Sequence, residues 1–428
     1  MTLVRKPVIH GEINGFCDPR FERVATAFEQ NFRERGEVGA SVCITLEGTS
    51  VVDLWGGMAR PASNEPWTQE TISVVWSCTK GATALCAHML ASRGLLDFDL
   101  PVAQYWPEFA QAGKEAIPVK MLLNHQSGLV AIREPVPQRA YFDWDFMVNA
   151  LAKQEPFWKP GSRHGYQMQT FGWLVGEVVR RVSGKSLGTF FREEVAQPLG
   201  LDFWIGLPAH LENRVAPIIA ADPPDPNSPL SSIYAALADP TSLQWLATFN
   251  SGGYLLQGPD GEFEYNRPDA HTAELGATGG ITNARGLAGM YAPLANGGSL
   301  NGVNLVTQES LVRIAAVSSA SGLDATLLAP TRFTLGYAKT WDNRREASCT
   351  KNDSVILSEA AFGHPGSGGL LGFADPQARM SFGYTMNKMG QGLGLNERGQ
   401  RLVDAAYLSL GYDSNVSGSW LTLRPLTT

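Results

Sequence analysis

A serine and a lysine one helical turn apart are the residues whose spacing most directly suggests chemistry. Ser77 and Lys80 belong to Trp76-Ser77-Cys78-Thr79-Lys80, which follows a short apolar run and precedes apolar residues at helical spacing. Positions i and i+3 share a helix face, so the hydroxyl and the amine can meet. A serine needs a neighbouring base to become nucleophilic, and burial lowers the pKa of a lysine. The pair therefore predicts acyl transfer to Ser77 with a neutral Lys80 as the base.

Two other serines match hydrolase patterns by letters alone. Ser348 to Lys351 repeat the same four letters, but polar and charged neighbours on both sides indicate an exposed loop. Ser186 stands at the centre of a GxSxG pattern, 184–188. In α/β-hydrolases that pattern needs a strand before the serine, whereas 171–182 has helical periodicity. We therefore predict a loop position for Ser348 and a helix-capping or turn position for Ser186.

The elements that must position Ser77 show strand patterns towards both ends of the chain and helical patterns in its middle. Apolar and β-branched runs predict strands at 40–46, 51–55, 72–76, 333–340, 368–374 and 379–386. Apolar residues at helical spacing predict helices at 20–35, from 77 to a stop at 93–94, and at 171–182, 187–196 and 398–410. The proline-rich stretch 221–230 predicts an irregular loop.

These patterns predict an α/β (α+β) fold with an active site between two parts of the chain. We expect 1–79 and 270–428 to form an antiparallel sheet flanked by helices, and 80–269 to form an inserted, mainly helical lobe. With 428 residues, 44% of them hydrophobic, the chain is long enough to bury a large core.

Composition and charge exclude several classes of function. The net charge of -7 and the lack of a basic cluster argue against nucleic acid or a membrane as partner. The first residues carry no apolar signal run, and no segment is apolar enough to span a bilayer, so we expect a cytoplasmic protein. The five cysteines are scattered and the histidines form no HExxH motif, so we expect reduced thiols and no metal.

Five further segments follow Ser77 in a characteristic order. They are MLLNHQSGL at 121–129, Gly165-Tyr166, TFGWLVG at 170–176, GGIT at 279–282 and GHPGSGG at 363–369. Together with the first motif they resemble the serine β-lactamase and penicillin-binding-protein superfamily over nearly the whole chain. The chain is most similar to the family VIII carboxylesterases, which themselves resemble class C β-lactamases. The resemblance implies a β-lactamase-like fold and a serine hydrolase without a cofactor.

The resemblance also implies roles for a tyrosine and a glycine-rich strand. Tyr166 corresponds to the second-motif tyrosine, which could relay protons between Ser77, Lys80 and the leaving group, and ammonium groups beside it could favour a phenolate. The segment after Gly363 resembles the third motif, with His364-Pro365-Gly366 where many β-lactamases have Lys-Thr-Gly. Gly366 would let the backbone approach the substrate, and the N–H groups of Ser367 and Ser77 would form the oxyanion hole. Pro365 has no N–H and should face away from the substrate.

Further residues are expected around this centre. Met168 takes the place of a class C asparagine that holds an amide of the substrate, which favours esters over β-lactams. We expect Met168, Phe157, Trp158 and Trp245 to line an apolar pocket. His125 and Ser127 are expected to support the site from behind or to cap a helix.

The sequence therefore predicts a serine carboxylesterase that acts on small-molecule esters with short acyl chains or small aryl and alkyl groups. A cephalosporin-type β-lactamase, a DD-peptidase, an acyltransferase and a catalytically silent scaffold of the same fold stay open as alternatives. No partner other than the substrate is implied, and the sequence does not specify an oligomeric state.

Overall fold

The computed structural model describes residues 1–223, 232–347, 349–392 and 394–422 of the chain. The first strands are β1 Thr2–Val8, β2 Gly11–Cys17, β3 Gly39–Leu46, β4 Thr49–Arg60, β5 Glu65–Pro66, β6 Ser73–Val74, β7 Phe203–Ile205 and β8 Gly280–Thr282. The later strands are β9 Ser299–Leu300, β10 Val303–Asn304, β11 Ser319–Ser321, β12 Thr331–Phe333, β13 Phe362–Gly366, β14 Leu370–Asp375 and β15 Met380–Met386.

Several helices lie between β6 and β8, and others flank the strands. They are α1 Glu22–Glu34, α2 Cys78–Ser92, α3 Lys120–Leu123, α4 Trp144–Lys153, α5 Thr170–Ser183, α6 Leu187–Phe191, α7 Ser232–Leu237, α8 Leu243–Phe249, α9 Ala284–Ala295, α10 Gln308–Ala315 and α11 Glu397–Ser409. A π-helical turn, Arg192–Ala196, continues α6.

The main sheet joins strands from both ends of the chain. Its order is β1-β2-β4-β3-β15-β14-β13, with β5 paired to β4, and all of these pairs are antiparallel. Strand β3 pairs with β15 from Leu46 opposite Met380 to Ala40 opposite Met386. A smaller sheet, β6-β8-β7, adjoins the start of α2. The division of the chain at residues 79 and 270 into sheet domain and lobe stays a prediction.

Helices cover both faces of the main sheet, as the contacts of two successive residues of β14 show. Phe373 stacks with Tyr407 of α11, whereas a Cβ on the preceding Gly372 would lie 2.8 Å from Tyr291 of α9. Because successive side chains of a strand point to opposite faces, α9 and α11 cover opposite faces. Gly383 of β15 permits the same close approach of α9, since a Cβ there would lie 2.3 Å from the Ala284 carbonyl oxygen.

Most predicted elements are confirmed, but the strand predicted at 333–340 is wrong. Strand β12 ends at Phe333, and the chain then turns so that the Thr334 N–H donates to the Tyr337 carbonyl at 2.8 Å. Gly336, with φ of 97°, makes that turn possible, and a Cβ on it would collide with Ala84 of α2. Most of the loop predicted at 221–230, like Ser348, lies outside the described residues.

Candidate active site

The main chain around Ser77 is held in a sharp turn between β6 and α2. Trp76 has a left-handed φ of 46°, which is unfavourable for a bulky residue, and α2 begins at Cys78. The Thr79 hydroxyl donates to the Trp76 carbonyl at 2.6 Å and accepts from the Gly280 N–H at 2.8 Å. These bonds fix the turn against β8, so the Ser77 side chain has a defined position at the helix start.

The Lys80 side chain is fully buried beside Ser77. Its Nζ lies 3.2 Å from the Ser77 Oγ, 2.8 Å from the Met168 carbonyl oxygen and 3.1 Å from the Ala277 carbonyl oxygen. Burial lowers the pKa of Lys80 well below the usual lysine value of 10.5. A neutral amine has two hydrogens for the two carbonyls and one lone pair for the Ser77 hydroxyl, so this geometry suits a base.

Tyr166 is buried on the other side of the same pair. The Lys80 Nζ lies 4.7 Å from the centroid of its ring, and a hydrogen bond with Ser77 favours its ionised form. Burial nevertheless dominates and raises the pKa of Tyr166 far above 10. Tyr166 is therefore a neutral phenol, and the expectation of a phenolate stabilised by ammonium groups is not supported.

The glycine-rich strand β13 runs beside the Ser77 turn. A Cβ on Gly366 would lie 2.7 Å from the Val75 carbonyl oxygen, and the Cys78 Sγ donates to the His364 carbonyl at 3.1 Å. Ser367 follows directly after the strand. Within the described part of the chain, no backbone acceptor engages the N–H of Ser77 or Ser367. Both N–H groups are therefore free for a substrate oxygen.

His364 presents one ring nitrogen without a protein partner. Its Nδ1 lies 2.8 Å from the Pro365 carbonyl oxygen, so Nδ1 carries the hydrogen and Nε2 is an acceptor. That Nε2 is buried and has no hydrogen-bond partner among the described residues. Burial, helped by Lys80, lowers the pKa of His364 to about 3, so the ring is neutral.

A mostly apolar cavity of about 340 Å³ opens onto Ser77. Its wall includes Tyr166, Met168, His364, Pro365 and Ser367, as well as aromatic side chains from scattered segments. The aromatic residues that sequence reasoning missed are Trp76, Tyr234, Phe249, Phe263, Tyr265, Phe333 and Trp341. No local motif marks them, because apart from Phe263 and Tyr265 they come from different elements and loops of the chain. Pro365 lines this cavity, which differs from the expectation that it faces away from the substrate.

Three aromatic residues that were expected in the wall lie elsewhere. Phe157 packs under the Arg133 guanidinium, 3.9 Å from the ring centroid, and Trp158 donates its indole N–H to the Arg163 carbonyl. These two rings cover a small separate core. Trp245 is half-buried on α8, with its ring centroid 5.9 Å from that of Phe249, and of these two residues only Phe249 reaches the described cavity wall. The described wall of the cavity therefore includes Met168 but not Phe157, Trp158 or Trp245.

His125 and Ser127 lie behind the site. The His125 ring is buried, with its centroid 4.9 Å from that of Tyr166, and its Nδ1 lies 3.1 Å from the Gln167 Oε1. Burial lowers the pKa of His125 well below 6.5, so the ring packs as a neutral group. The Ser127 Oγ accepts from the Leu129 N–H at 3.3 Å. Neither side chain reaches the described cavity wall.

Ser186 caps a helix, as predicted. Its Oγ accepts from the Thr189 N–H at the start of α6 and donates to the Glu274 carboxylate at 2.7 Å. The segment before it is α5, not a strand, so the GxSxG match has no nucleophile geometry.

Two other features bear on function. Among the described residues there is no cluster of three or more metal-ligating side chains. None of the described helices is both long enough and apolar enough to cross a bilayer.

The sequence is similar to those of a known protein family. A sequence model of the Beta-lactamase family matches residues 25–406. The esterase/beta-lactamase LipL of Mycobacterium tuberculosis is 34% identical over 379 residues, which cover 88% of this chain and 83% of LipL.

Two solved structures have the same fold over nearly their whole length. A penicillin-binding protein homolog from Caulobacter crescentus is 35% identical, with a TM-score of 0.79 over 93% of this chain and 100% of that one. A family VIII carboxylesterase is 37% identical, with a TM-score of 0.78 and the same coverage of both chains. The predicted β-lactamase-like fold is confirmed.

Proposed function

The chain belongs to the Beta-lactamase family, and from this membership and the geometry around Ser77 we propose that it is a serine carboxylesterase acting through an acyl-enzyme. Its substrates are esters with short acyl chains or small aryl and alkyl groups. The names of LipL and of the family VIII carboxylesterase support ester hydrolysis. Met168 stands where class C β-lactamases are expected to have an asparagine that holds an amide of the substrate. A methionine cannot form that hydrogen bond, which also favours esters over β-lactams.

In the acylation step, the Ser77 Oγ attacks the ester carbonyl carbon while Lys80 accepts the hydroxyl proton. The N–H groups of Ser77 and Ser367 stabilise the oxyanion of the tetrahedral intermediate. When the intermediate collapses, the bond to the alcohol breaks, and Tyr166 gives its proton to the leaving oxygen. Tyr166 then recovers a proton from the Lys80 ammonium group, which returns both residues to their starting states.

In the deacylation step, water attacks the acyl carbon with the same groups in reverse order. Lys80 accepts the water proton through Tyr166, and the Ser77 Oγ leaves with a proton as the acid departs. The Ser77 proton that leaves with the alcohol in acylation is replaced by a proton from water in deacylation, so the enzyme returns to its starting state without a cofactor.

The observation that carries this proposal is the environment of the Lys80 amine. The amine is fully buried, contacts two carbonyl oxygens and the Ser77 hydroxyl, and burial lowers its pKa. Lys114 is likewise fully buried against main-chain carbonyls, so what distinguishes Lys80 is the Ser77 hydroxyl 3.2 Å from its amine.

The cavity supports the substrate class. Its volume of about 340 Å³ lies at the small end of the roughly 300–1,000 Å³ that is usual for ligand pockets. Its described wall is mostly aromatic and aliphatic, which suits a small aryl or alkyl ester better than a long chain.

A β-lactamase function is the second candidate, because the name of LipL includes it. Turnover of a short-chain p-nitrophenyl ester and of a cephalosporin at equal enzyme concentration compares the two. We expect kcat/KM for the ester to be higher by about 100-fold or more. A cephalosporin turned over as fast as the ester would replace the proposed activity by that of a β-lactamase.

The direct test is labelling of the nucleophile. A p-nitrophenyl phosphonate should add one phosphonyl group to the intact protein, on Ser77, and abolish esterase activity. Ser77→Ala should show neither adduct nor activity, while Ser186→Ala, the matched decoy, should show both. Esterase activity that survives in purified Ser77→Ala would overturn the proposal.

A further inference from the structure

One fully buried carboxylate, that of Asp324, is bonded to the main chain of Tyr166. The Tyr166 N–H donates to both of its oxygens, at 3.0 and 3.1 Å. The Thr326 and Leu327 N–H groups donate to its Oδ1 at 2.8 and 2.9 Å, and the Thr331 hydroxyl donates to its Oδ2 at 3.2 Å. Asp324 therefore joins the Tyr166 segment to a turn and a strand that are more than 150 residues away in sequence.

A second contact ties the same segment to this carboxylate. The His164 Nε2 lies 3.1 Å from the Asp324 Oδ2 and 2.7 Å from the Thr331 Oγ1, and the His164 carbonyl accepts from the Ala325 N–H at 3.1 Å. The chain on both sides of Gly165 is therefore held by the same turn. Gly165 itself leaves no room for a side chain, because a Cβ there would lie 2.6 Å from Trp158 and 2.9 Å from the Thr326 hydroxyl.

We infer that Asp324 is a positioning residue for Tyr166, which it holds against Ser77 and Lys80 in the orientation required for proton transfer. This inference rests on the proposed function, since it gives Tyr166 its part in the reaction. Asp324 acts on the backbone of Tyr166, where it accepts the main-chain N–H. Its negative charge also adds to burial, the main cause, in raising the pKa of Tyr166 and so favours the protonated phenol. A proton donor to the leaving alcohol must be both placed and protonated.

The chain offers a matched control for the purely structural part of this role. Asp375 is also fully buried at a turn and accepts two main-chain N–H groups, from Gln377 and Ala378. It further accepts the hydroxyls of Ser358 and Tyr407. Asp375 ends β14 at the far end from Ser367, and the described cavity wall does not include it.

The experiment compares Asp324→Asn with Asp375→Asn. An amide keeps the size of the carboxylate but places an NH₂ donor where the wild-type protein has an acceptor, so both variants lose hydrogen bonds. We expect both to lower the melting temperature. Only Asp324→Asn should also lower kcat, by about 10- to 100-fold, because it loses a charge-assisted bond to Tyr166. The KM of a p-nitrophenyl ester should stay within about 2-fold of the wild-type value.

A double-mutant cycle with Tyr166→Phe separates positioning from general damage. If Asp324 acts through the phenol, Asp324→Asn should change kcat by less than about 3-fold in the Tyr166→Phe background. An equal loss in both backgrounds, or a wild-type kcat in Asp324→Asn, would overturn the inference. In either case an inactive Ser77→Ala variant would leave the proposed function standing, whereas an active one would remove it.

Discussion

At the scale of single residues, the candidate site depends on Lys80, whose amine is buried away from water. The carbonyls of Met168 and Ala277 accept its hydrogens, but no carboxylate contributes to its pKa shift. The charged form is therefore disfavoured, and the free-energy cost of burying Lys80 is the origin of its basicity. The same environment lowers the pKa of His364, so both nitrogen groups at the site are neutral.

The lowered pKa of Lys80 predicts the pH dependence of the reaction. The base must be unprotonated, so kcat/KM should rise with pH as Lys80 loses its proton and should reach a plateau well below 10.5. Initial rates with an aryl ester, corrected for spontaneous hydrolysis, measure this profile. Lys80→Arg, which keeps a permanent charge, should lose activity by about 1000-fold or more. A profile that still climbs through pH 10.5 would contradict a neutral base.

The cavity wall predicts how acyl-chain preference can be changed. Phe249→Ala removes an aromatic ring from the wall and should shift the preferred p-nitrophenyl esters towards longer acyl chains. Trp245→Ala removes a larger ring from the same helix, α8, but outside the described wall, and should leave the chain-length profile unchanged. Values of kcat/KM across a series of esters provide the measurement, and a shift in both variants would exclude this wall as the determinant.

The candidate reacting groups could be selected from the sequence, whereas the pocket around them could not. Ser77 and Lys80 lie within four residues at the start of one helix, and Tyr166 and Ser367 lie in short glycine-containing segments whose order along the chain is recognisable. The wall, in contrast, combines single aromatic residues from loops and from α7 and α8, whose approach depends on tertiary packing. For the same reason Asp324, which bonds a residue 158 positions away, carries no signal in its own neighbourhood.

At the scale of elements, the start of α2 joins two sheets to one nucleophile. The Val75 N–H donates to the Gly280 carbonyl at 2.8 Å, and the Thr79 hydroxyl accepts a hydrogen bond from the Gly280 N–H. On the other side of the turn, β13 lies so close that a side chain on Gly366 would collide with the Val75 carbonyl oxygen. The helix is buried on every side from Cys78 to Leu90, so it cannot shift without moving both sheets.

This arrangement makes Thr79 important for the placement of Ser77. Thr79→Val loses the bonds to Trp76 and Gly280 and should lower the free energy of unfolding by about 1–3 kcal/mol. Since those bonds fix the Ser77 turn, kcat should fall as well. Thr83→Val, one turn further along α2, loses only a bond to the Gly276 carbonyl and should affect stability more than kcat. Urea unfolding and steady-state kinetics test both variants, and equal kcat losses would contradict a specific role for Thr79.

The sheet was largely predictable from the sequence because its strands have clear alternation and short turns. The hairpin of β3 and β4, the hairpin of β14 and β15 and the helix α11 all lie where the sequence predicts them. The error after Phe333 has a local cause, because Thr334 to Lys339 contains β-formers but also Gly336 at a tight turn. Propensity could not anticipate that α2 packs against that turn.

At the scale of the whole molecule, a buried ion pair ties together the two ends of the chain. Glu37 lies between α1 and β3, and its carboxylate accepts from Arg398 of α11 at 2.8 Å and from the hydroxyl of Tyr384 of β15. Both Glu37 and Arg398 are buried, and burial raises the pKa of Glu37 despite its cationic partner. Arg398 also donates to the Lys388 carbonyl at 2.6 Å, next to the cavity residue Met389.

Breaking this pair should destabilise the whole protein. Arg398→Met leaves the Glu37 carboxylate buried without a cation and should lower the free energy of unfolding by about 3–5 kcal/mol. The double variant Glu37→Gln, Arg398→Met removes that isolated charge and should recover much of the loss. Guanidinium unfolding followed by tryptophan fluorescence measures both, and a double variant no more stable than Arg398→Met would contradict this explanation.

The pairing of β3 with β15 has a consequence for synthesis on the ribosome. β4 pairs with one edge of β3 directly, but β15, the partner of the other edge, emerges more than 300 residues later. One apolar edge of β3 is therefore unpaired for most of translation. Strand β13 with Ser367, and Asp324, which bonds to Tyr166, also follow Ser77 by long stretches of chain. Under the proposed mechanism the nascent polypeptide is catalytically inert until its last quarter has been made, and this interval is when holdase chaperones would be needed most.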